Sequence, residues 1–389
     1  MSGKAWQRRP SALARQALGV YIALIVYGSW YPFSGWRSLG IGPFAYLFDP
    51  MPQYLTAFDV VTNVLGYMPF GALVVLAVYP RGRGALAVAL AFVLGALLSG
   101  TMEAVQTWLP TRVASNLDLA ANTMGALLGA AIMSPATGAL LDRGLLRRLR
   151  MLWFERDTAA LVCLAALWPF ATMYPAPRLF GVGDWPRALW LHADPTMQDA
   201  LLAWLPAWLS NSAHVETWPA QLAAWLSADG WEALIATFNL FAAGSLASLA
   251  MRLRAPRLRL LLVWVALTVF IKIGATFLQS RSGLAFDWAT PGGLTGLVCG
   301  TLATMLALRL PRGWRAALAA AALVVALVLV NLMPVNPYFD VVLAGWRQGR
   351  YLHLNGLARW LAWTWPYAAL IWLAFSAERA WLRRRRGFP

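Results

Sequence analysis

Apolar runs long enough to cross a lipid bilayer follow one another along most of this chain, and they constrain its fold more than any other feature. A helix needs about 20 apolar residues to cross the hydrocarbon core, where every backbone polar group must be hydrogen-bonded internally. The sequence therefore predicts an all-α, polytopic helical membrane protein with about ten transmembrane helices. The ten predicted spans are 16–30, 58–79, 85–108, 117–132, 158–174, 231–249, 260–278, 286–306, 316–332 and 357–375. Between the first two spans, residues 34–57 are too interrupted by Gly and Pro to cross and are predicted to lie at the interface or re-enter.

Basic residues fall in every second connection between these spans. Cytoplasmic connections of membrane proteins are enriched in Lys and Arg, so both termini are predicted to be cytoplasmic. The net charge of +16 is spread between apolar runs rather than gathered on one solvated face, and nucleic acid is not a predicted partner. Membrane lipid is the predicted partner. The basic clusters are at residues 4–15, 81–83, 143–156, 252–259, 309–315 and 383–386.

A polar segment at residues 103–122 joins the third and fourth predicted spans. Spacings of three and four residues place its side chains on shared helix faces, which predicts a helical hairpin with a polar tip on the outer face of the membrane. Asp59 and Asn63 share one face at the start of the second span. The candidate polar cluster is Asp59, Asn63, Glu103, Gln106, Arg112, Ser115, Asp118 and Asn122.

Two roles are open for this cluster. In the first, Glu103 or Asp118 acts as a general base while Arg112 binds an anionic phosphate or carboxylate. In the second, Arg112 pairs with one of these carboxylates while the amide side chains saturate the remaining acceptors and lock the hairpin. No catalytic residue is assigned, because Ser115 has no histidine near it in sequence.

No cofactor or metal ion is predicted. The two cysteines, Cys163 and Cys299, lie inside apolar runs and do not suggest a thiolate site. The three histidines, His192, His214 and His353, lack the spacing of metal ligands.

The order of these features recurs, which predicts a parallel internal repeat. Tyr31-Pro32-Phe33 in the first copy matches Trp168-Pro169-Phe170 in the second. The predicted domains are a four-helix module at 15–134, a degenerate second copy at 158–308, and a truncated third copy with a basic cytoplasmic tail at 314–389. The second copy contains a Trp-rich excursion at 175–230, predicted to form amphipathic helices along the outer interface. The second-copy counterparts of the polar cluster are Asn239, Gln279, Arg281, Ser282 and Asp287.

The stretches FDVVTNVLGYMPFG and SGTMEAVQTWLPTRVASNLDLAANTMGALLG carry a resemblance to a known family. They resemble the VanZ-like family of small bacterial membrane proteins, named for an accessory protein of glycopeptide resistance. The resemblance covers residues 15–134 and implies an all-helical module in the bacterial cytoplasmic membrane. It also implies a link to teicoplanin-type resistance and to the cell envelope.

Three functions remain open at this stage. The leading hypothesis is a non-enzymatic envelope protein that binds a lipid-linked or glycopeptide ligand through Glu103, Arg112 and Asp118. The first alternative is a membrane-embedded hydrolase or transferase that acts on an envelope lipid. The second alternative is a transporter, which the parallel repeat would suit.

Overall fold

A computed structural model describes residues 11–31, 33–50, 57–143, 145–155, 158–173, 179–204, 221–280, 285–333, 344 and 352–385. The chain divides into two compact units, an N-terminal unit of Met1–Cys163 and a C-terminal unit of Leu164–Pro389. Every regular element in the described residues is a helix, with no strand among them, so the all-α prediction is confirmed.

The N-terminal unit begins with four long helices. Residues 33–50, between the first two helices, contain a 3₁₀ turn, Ala45–Leu47, and a short π-helical turn, Ala139–Arg143, follows the fourth helix. The helices are α1 (Ala12–Trp30), α2 (Ala57–Val78), α3 (Ala85–Gln106), α4 (Asn116–Gly138), α5 (Leu145–Trp153) and α6 (Ala159–Ala171), the last of which crosses the unit boundary.

In the described residues of the C-terminal unit, two short helices are followed by five long ones. The short helices belong to the predicted Trp-rich excursion, most of whose remainder, 205–220, lies outside the described residues. The helices are α7 (Trp185–His192), α8 (Pro195–Ala203), α9 (Ala228–Leu249), α10 (Arg257–Gln279), α11 (Pro291–Ala307), α12 (Arg312–Leu332) and α13 (Leu352–Arg385).

Seven of the described helices are long and apolar enough to cross a membrane, namely α1, α2, α3, α4, α9, α10 and α12. Two others are apolar but shorter: α6 has 13 residues and α11 has 17. The predicted eighth span at 286–306 began too early, because Thr290 caps α11 by accepting a hydrogen bond from the backbone N–H of Gly293. A membrane protein of several spans is therefore confirmed, while the count of ten stays a prediction.

The core of the N-terminal unit lies between α2, α3 and α4. Tyr67, Phe70 and Val74 of α2 pack there with Ala91 of α3 and Ala126 of α4. Glycine makes the closest approach possible, because a Cβ atom at Gly71, Gly125 or Gly129 would overlap backbone atoms of the facing helix. Gly125 and Gly129 of α4 therefore form a helix-packing pair, and the helix that they contact is α2.

The core of the C-terminal unit surrounds α9. Gly296 of α11 approaches α9 so closely that a Cβ atom would meet the backbone oxygen of Ala233 at 2.7 Å. A second part of the core is aromatic: the fully buried Trp168 stacks on Trp264 with ring centroids 4.8 Å apart. Trp168 therefore lies inside its unit rather than at its surface.

The sidedness of the N-terminal unit is a prediction that cysteine labelling can check. Val113, in the α3–α4 connection, is 86% exposed, and Arg81, in the α2–α3 connection, is also exposed. In a chain whose native Cys163 and Cys299 are replaced by alanine, we expect a membrane-impermeant maleimide to label Val113→Cys in intact cells. Arg81→Cys should be labelled only after permeabilisation, and the opposite pattern would overturn the predicted orientation.

Candidate functional site

The candidate site lies where α3 ends and α4 begins, beside the end of α1. Ser115 is the N-cap of α4, and its Oγ accepts hydrogen bonds from the backbone N–H groups of Leu117 at 3.2 Å and Asp118 at 3.4 Å. A serine in this position satisfies N–H groups that have no partner within the helix. The local sequence Ser115-Asn116-Leu117-Asp118 therefore fixes where α4 starts.

Glu103 ties the end of α3 to the start of α4. Its side chain is buried, with 3% of its surface exposed, and its Oε2 accepts a hydrogen bond of 2.9 Å from the backbone N–H of Ser115. A buried carboxylate is costly unless it receives hydrogen bonds or faces opposite charge. Glu103 thus holds the α3–α4 turn closed from the inside.

Asp118 and Asn63 link α4 to α2. The Nδ2 of Asn63 donates a hydrogen bond of 2.8 Å to Oδ1 of Asp118, and both side chains are partly exposed. Asp118 lies in the first turn of α4, where the helix dipole stabilises a negative charge. This pair places a carboxylate and an amide at the accessible edge of the site.

Arg112 and Gln106 both reach the last turn of α1. Arg112 donates from Nη2 to the carbonyl oxygens of Gly28 at 2.8 Å and Tyr31 at 3.3 Å, while Gln106 donates from Nε2 to that of Ser29 at 3.0 Å. The last carbonyl groups of a helix lack partners within it and carry partial negative charge, so cationic donors stabilise them.

The charge of Arg112 persists in this setting. Burial lowers the pKa of its guanidinium, and the nearby Glu103 carboxylate opposes that shift. A guanidinium remains protonated in proteins, so a full positive charge lies beside the buried carboxylate.

A deeper polar layer lies one helical turn inside the cluster. Asn122 of α4 donates from Nδ2 to Oγ of Ser99 of α3 at 3.0 Å, and both side chains are buried. Hydrogen bonds of this kind hold membrane helices in register.

The structure thus brings seven of the eight predicted cluster residues to one end of the N-terminal unit. The eighth, Asp59, lies in α2, and its side chain is outside what the structure describes. One of the two roles predicted from the sequence gave Arg112 a carboxylate partner, and the structure shows the backbone carbonyl oxygens of Gly28 and Tyr31 among its partners. The seven residues are Asn63, Glu103, Gln106, Arg112, Ser115, Asp118 and Asn122.

Sequence reasoning missed how residues 33–50 attach to this site. The hydroxyl of Tyr46 donates to the carbonyl oxygen of Gly100 at 3.2 Å, and Nδ2 of Asn116 donates to that of Asp49 at 2.8 Å. We call residues 33–50 the apolar lip, because large apolar side chains on it are exposed. Phe44 is 59% exposed and Phe48 is 89% exposed. The sequence signal for this attachment was Asn116, a polar residue next to Ser115 that needs a hydrogen-bond partner of its own.

The second-copy counterparts lie in the C-terminal unit. Asn239 is buried and donates to the carbonyl oxygen of Ile235 in its own helix at 3.0 Å, and Asp287 accepts from Oγ of Ser280 at 2.9 Å. Gln279 is also buried, while Arg281 and Ser282 lie outside the described residues. Across the described chain, no group of three or more His, Cys, Asp or Glu side chains could hold a metal ion.

These features define the N-terminal unit as a helical membrane module with a polar cluster at one end of a closely packed helix pair. Residues 17–140 match the VanZ/LLP1 family model, so this module is a VanZ-like domain. The match covers about a third of the chain and agrees with the resemblance seen at residues 15–134. No curated protein and no solved structure matches the chain.

Proposed function

We propose that the VanZ-like module binds an amphiphilic component of the bacterial cell envelope at the outer face of the cytoplasmic membrane. The polar part of the ligand contacts Asp118 and Asn63, and its hydrocarbon part lies along the apolar lip. The observation that carries this proposal is the attachment of an exposed apolar segment to the rim of a partly exposed polar cluster.

The chemistry of the rim indicates which headgroup fits. Asp118 supplies carboxylate oxygens at the accessible edge, so hydroxyl or amine donors on the ligand would be recognised there. Arg112 adds a positive charge for a phosphate or carboxylate of the same ligand. A lipid-linked saccharide or peptide of the cell wall offers both kinds of group, and a glycopeptide offers the donors.

The geometry favours binding over bond cleavage. Ser115 Oγ accepts two backbone N–H groups as the N-cap of α4, which orients its lone pairs toward the helix rather than toward a ligand. All three histidines belong to the C-terminal unit, so none lies within the module as a base for this hydroxyl. A hydrolase or transferase that acts on an envelope lipid is therefore the weaker proposal, and a transporter has no specific support in the module.

A role in resistance to glycopeptides follows as part of the same proposal. The family resemblance links the module to teicoplanin-type resistance, which concerns the cell envelope, and the predicted orientation places the cluster on the outer face of the membrane. A protein that binds a lipid-linked precursor there would change the amount accessible to the drug. Teicoplanin susceptibility of a deletion strain is accordingly the phenotype to measure first.

Asp118→Asn tests the proposed ligand contact. The substituted amide keeps the size of the side chain and an oxygen that accepts from Asn63, so we expect near-normal abundance in the membrane. Loss of the carboxylate should weaken ligand binding about tenfold, the equivalent of one hydrogen bond to a charged group. Mass spectrometry of envelope lipids that copurify with the protein in mild detergent measures this loss, and complementation of the deletion strain gives the phenotype.

Asp49→Asn is the matched control. Asp49 belongs to the apolar lip, but the proposed hydrocarbon contacts are made by its apolar side chains, and the contact of Asp49 with Asn116 is through the backbone oxygen, which asparagine keeps. It should retain both the copurifying species and the phenotype. A collapse in the abundance of Asp118→Asn would assign the carboxylate to folding instead. Equal lipid retention by both variants would show that Asp118 does not contact a ligand.

A further inference from the structure

We infer that the C-terminal unit binds a phosphate group where α9 ends and α10 and α12 begin, and that Arg257, Arg312 and Arg315 form the site. These residues belong to connections that are predicted to be cytoplasmic, so the ligand is a phosphate on the cytoplasmic side. All three lie within residues 164–389, outside the VanZ-like module. The site is therefore independent of the one proposed for that module.

Two arginines from different helices donate to the end of α9. Arg315, in the first turn of α12, donates from Nη1 to the carbonyl oxygen of Ser248 at 2.9 Å and to its Oγ at 2.6 Å. Arg257, the first residue of α10, donates from Nη2 to the carbonyl oxygen of Met251 at 3.1 Å. The backbone N–H of Met251 in turn donates to the carbonyl oxygen of Ser248 at 3.1 Å. A single turn of chain therefore joins the two arginines.

Arg315 carries a charge that its described surroundings do not neutralise. Its side chain is 2% exposed, and its buried Nε has no hydrogen-bond partner. In the described residues, the hydrogen bonds of its guanidinium come from Nη1 alone, and no carboxylate forms an ion pair with it. A guanidinium has five N–H donors and stays protonated, and such a charge is costly to bury without an anionic partner. The contact with α9 thus leaves the Nε–Nη2 edge for an anion.

Two further arginines add like charge instead of compensating for it. The strongest electrostatic influences on Arg315 come from Arg257 and Arg312, and both oppose its positive charge. Arg257 is half-buried, and Arg312 is exposed. Like charges that lie close together repel, and an anion bound among them attracts all three. The three side chains thus lead from the exposed surface, at Arg312, to the interior, at Arg315.

The helix dipoles also favour an anion at this end of the unit. Arg257 and Arg312 are the first residues of α10 and α12, and neither helix start has a side-chain N-cap hydrogen bond. A cation at a helix N-terminus faces the positive end of the dipole, whereas an anion there is stabilised. A helix start alone does not define a site, but these two starts coincide with the buried donor of Arg315.

The chemistry of the site specifies a phosphate without a cation on the same headgroup. Arginine binds phosphate oxygens through two parallel hydrogen bonds, and a cluster of arginines repels an ammonium group. Trp314, between Arg312 and Arg315 in sequence, is 64% exposed, and Leu253 is 87% exposed. These apolar side chains suit the acyl chains of an anionic phospholipid in the cytoplasmic leaflet, while free phosphate offers the same oxygens.

Binding to the purified full-length chain in neutral detergent tests the site, at about 0.15 M salt so that distant charges are screened. The probes are phosphatidylglycerol, phosphatidylcholine with the same acyl chains, and sodium phosphate compared with sodium chloride at equal ionic strength. The unfolding temperature, read from tryptophan fluorescence, should rise with phosphatidylglycerol and not with phosphatidylcholine, whose choline cation the arginines repel. A rise with sodium phosphate as well would identify the phosphate group as sufficient, whereas a rise with phosphatidylglycerol alone would identify the lipid.

Arg312→Gln is the decisive variant, because Arg312 is exposed and no described hydrogen bond or ion pair holds its side chain. Without ligand, the variant should unfold at or slightly above the wild-type temperature, since it loses the repulsion from Arg315. Its affinity for phosphatidylglycerol should fall about fivefold, the contribution of one arginine near an anionic headgroup. Arg315→Gln should abolish the response to phosphatidylglycerol and also destabilise the end of α9, so Arg312→Gln decides if Arg315→Gln fails to fold.

Arg309→Gln is the matched control. It removes the same charge from an exposed arginine of the same connection, and Arg309 is not among the strongest charges that act on Arg315. This control should respond to phosphatidylglycerol like the wild type. Equal losses in Arg309→Gln and Arg312→Gln would overturn the site, because a general attraction of charge would explain both.

Three other results would also overturn the site. They are a wild-type response of Arg312→Gln to phosphatidylglycerol, an equal response of the wild type to both lipids, and no response of the wild type to any probe. Asp118→Asn, in the VanZ-like module, should keep the response to phosphatidylglycerol. A response that is lost in Asp118→Asn and kept in Arg312→Gln would assign the lipid to the module instead.

Discussion

Replacing Gly129 with alanine is expected to prevent α2 and α4 from packing and to reduce the amount of folded protein in the membrane sharply. A Cβ atom at this position would overlap the backbone oxygen of Met68 in α2, and a backbone atom cannot move aside as a flexible side chain can. Overpacking of a close interface typically costs about 1–3 kcal/mol even where side chains can adjust. Gly71→Ala should act similarly, because its Cβ would overlap the backbone of Ala126.

Two control variants on the same helices isolate this steric effect. Gly138 lies in α4 and Gly66 in α2, and a Cβ atom at either position would meet nothing within 4 Å. Alanine is the better helix former by about 1 kcal/mol, so Gly138→Ala and Gly66→Ala should be neutral or stabilising. Membrane abundance and unfolding temperature of the four variants measure the difference. If Gly129→Ala behaves like Gly138→Ala, the close approach of α2 and α4 is wrong.

The four long helices of the N-terminal unit were predictable from the sequence, while the pairing of their faces was only half predictable. The apolar runs at 85–108 and 117–132 located α3 and α4, and Gly125 and Gly129, four residues apart, lie on one face of α4. Helix periodicity identifies which face is small but not which helix covers it. The hairpin partner α3 follows from the short connection, whereas the closest backbone approach proved to be with α2.

The polar cluster illustrates the same limit at the level of single side chains. The members of the polar cluster were predicted because polar and charged side chains are costly to place in or near a membrane. The role of Arg112 at the end of α1 was not predicted, because the acceptors are backbone carbonyl oxygens of Gly28 and Tyr31, which have no signature in the sequence. The carbonyl oxygens at a helix end can therefore be the hydrogen-bond partners of a buried cation, and a comparison of side chains alone does not identify them.

The two proposed copies of the repeat share one structural feature that was not among the matching sequence features. A cation donates to the carbonyl oxygens at the end of the first helix of each proposed copy: Arg112 to those of α1, and Lys272 to those following α6. The two cations come from different positions, a connecting segment in one case and the interior of α10 in the other. In both proposed copies, a cation therefore stabilises the end of the first helix, although the cation comes from a different position. The repeat itself stays a prediction.

Arg112→Met is expected to release the end of α1 from the rest of the VanZ-like module. The methionine removes both hydrogen bonds to α1 carbonyl oxygens and leaves the buried Glu103 carboxylate without the nearby positive charge. Hydrogen bonds that involve a charged group contribute about 1.5–3 kcal/mol each, so the variant should lose about 3 kcal/mol of stability. The unfolding temperature should fall, and protease should cleave the apolar lip, which follows α1, faster than in the wild type.

Arg37→Met separates this effect from the loss of any arginine at this end of the unit. Arg37 is exposed, and its described contact is a backbone hydrogen bond to the carbonyl oxygen of Trp108, which methionine preserves. Exposed charges contribute about 0–1 kcal/mol, so the control should unfold close to the wild type. Equal unfolding temperatures for the two variants would mean that Arg112 does not hold α1 in place. A fall confined to Arg112→Met, with its abundance kept, would show that the cation holds the end of α1 against the module.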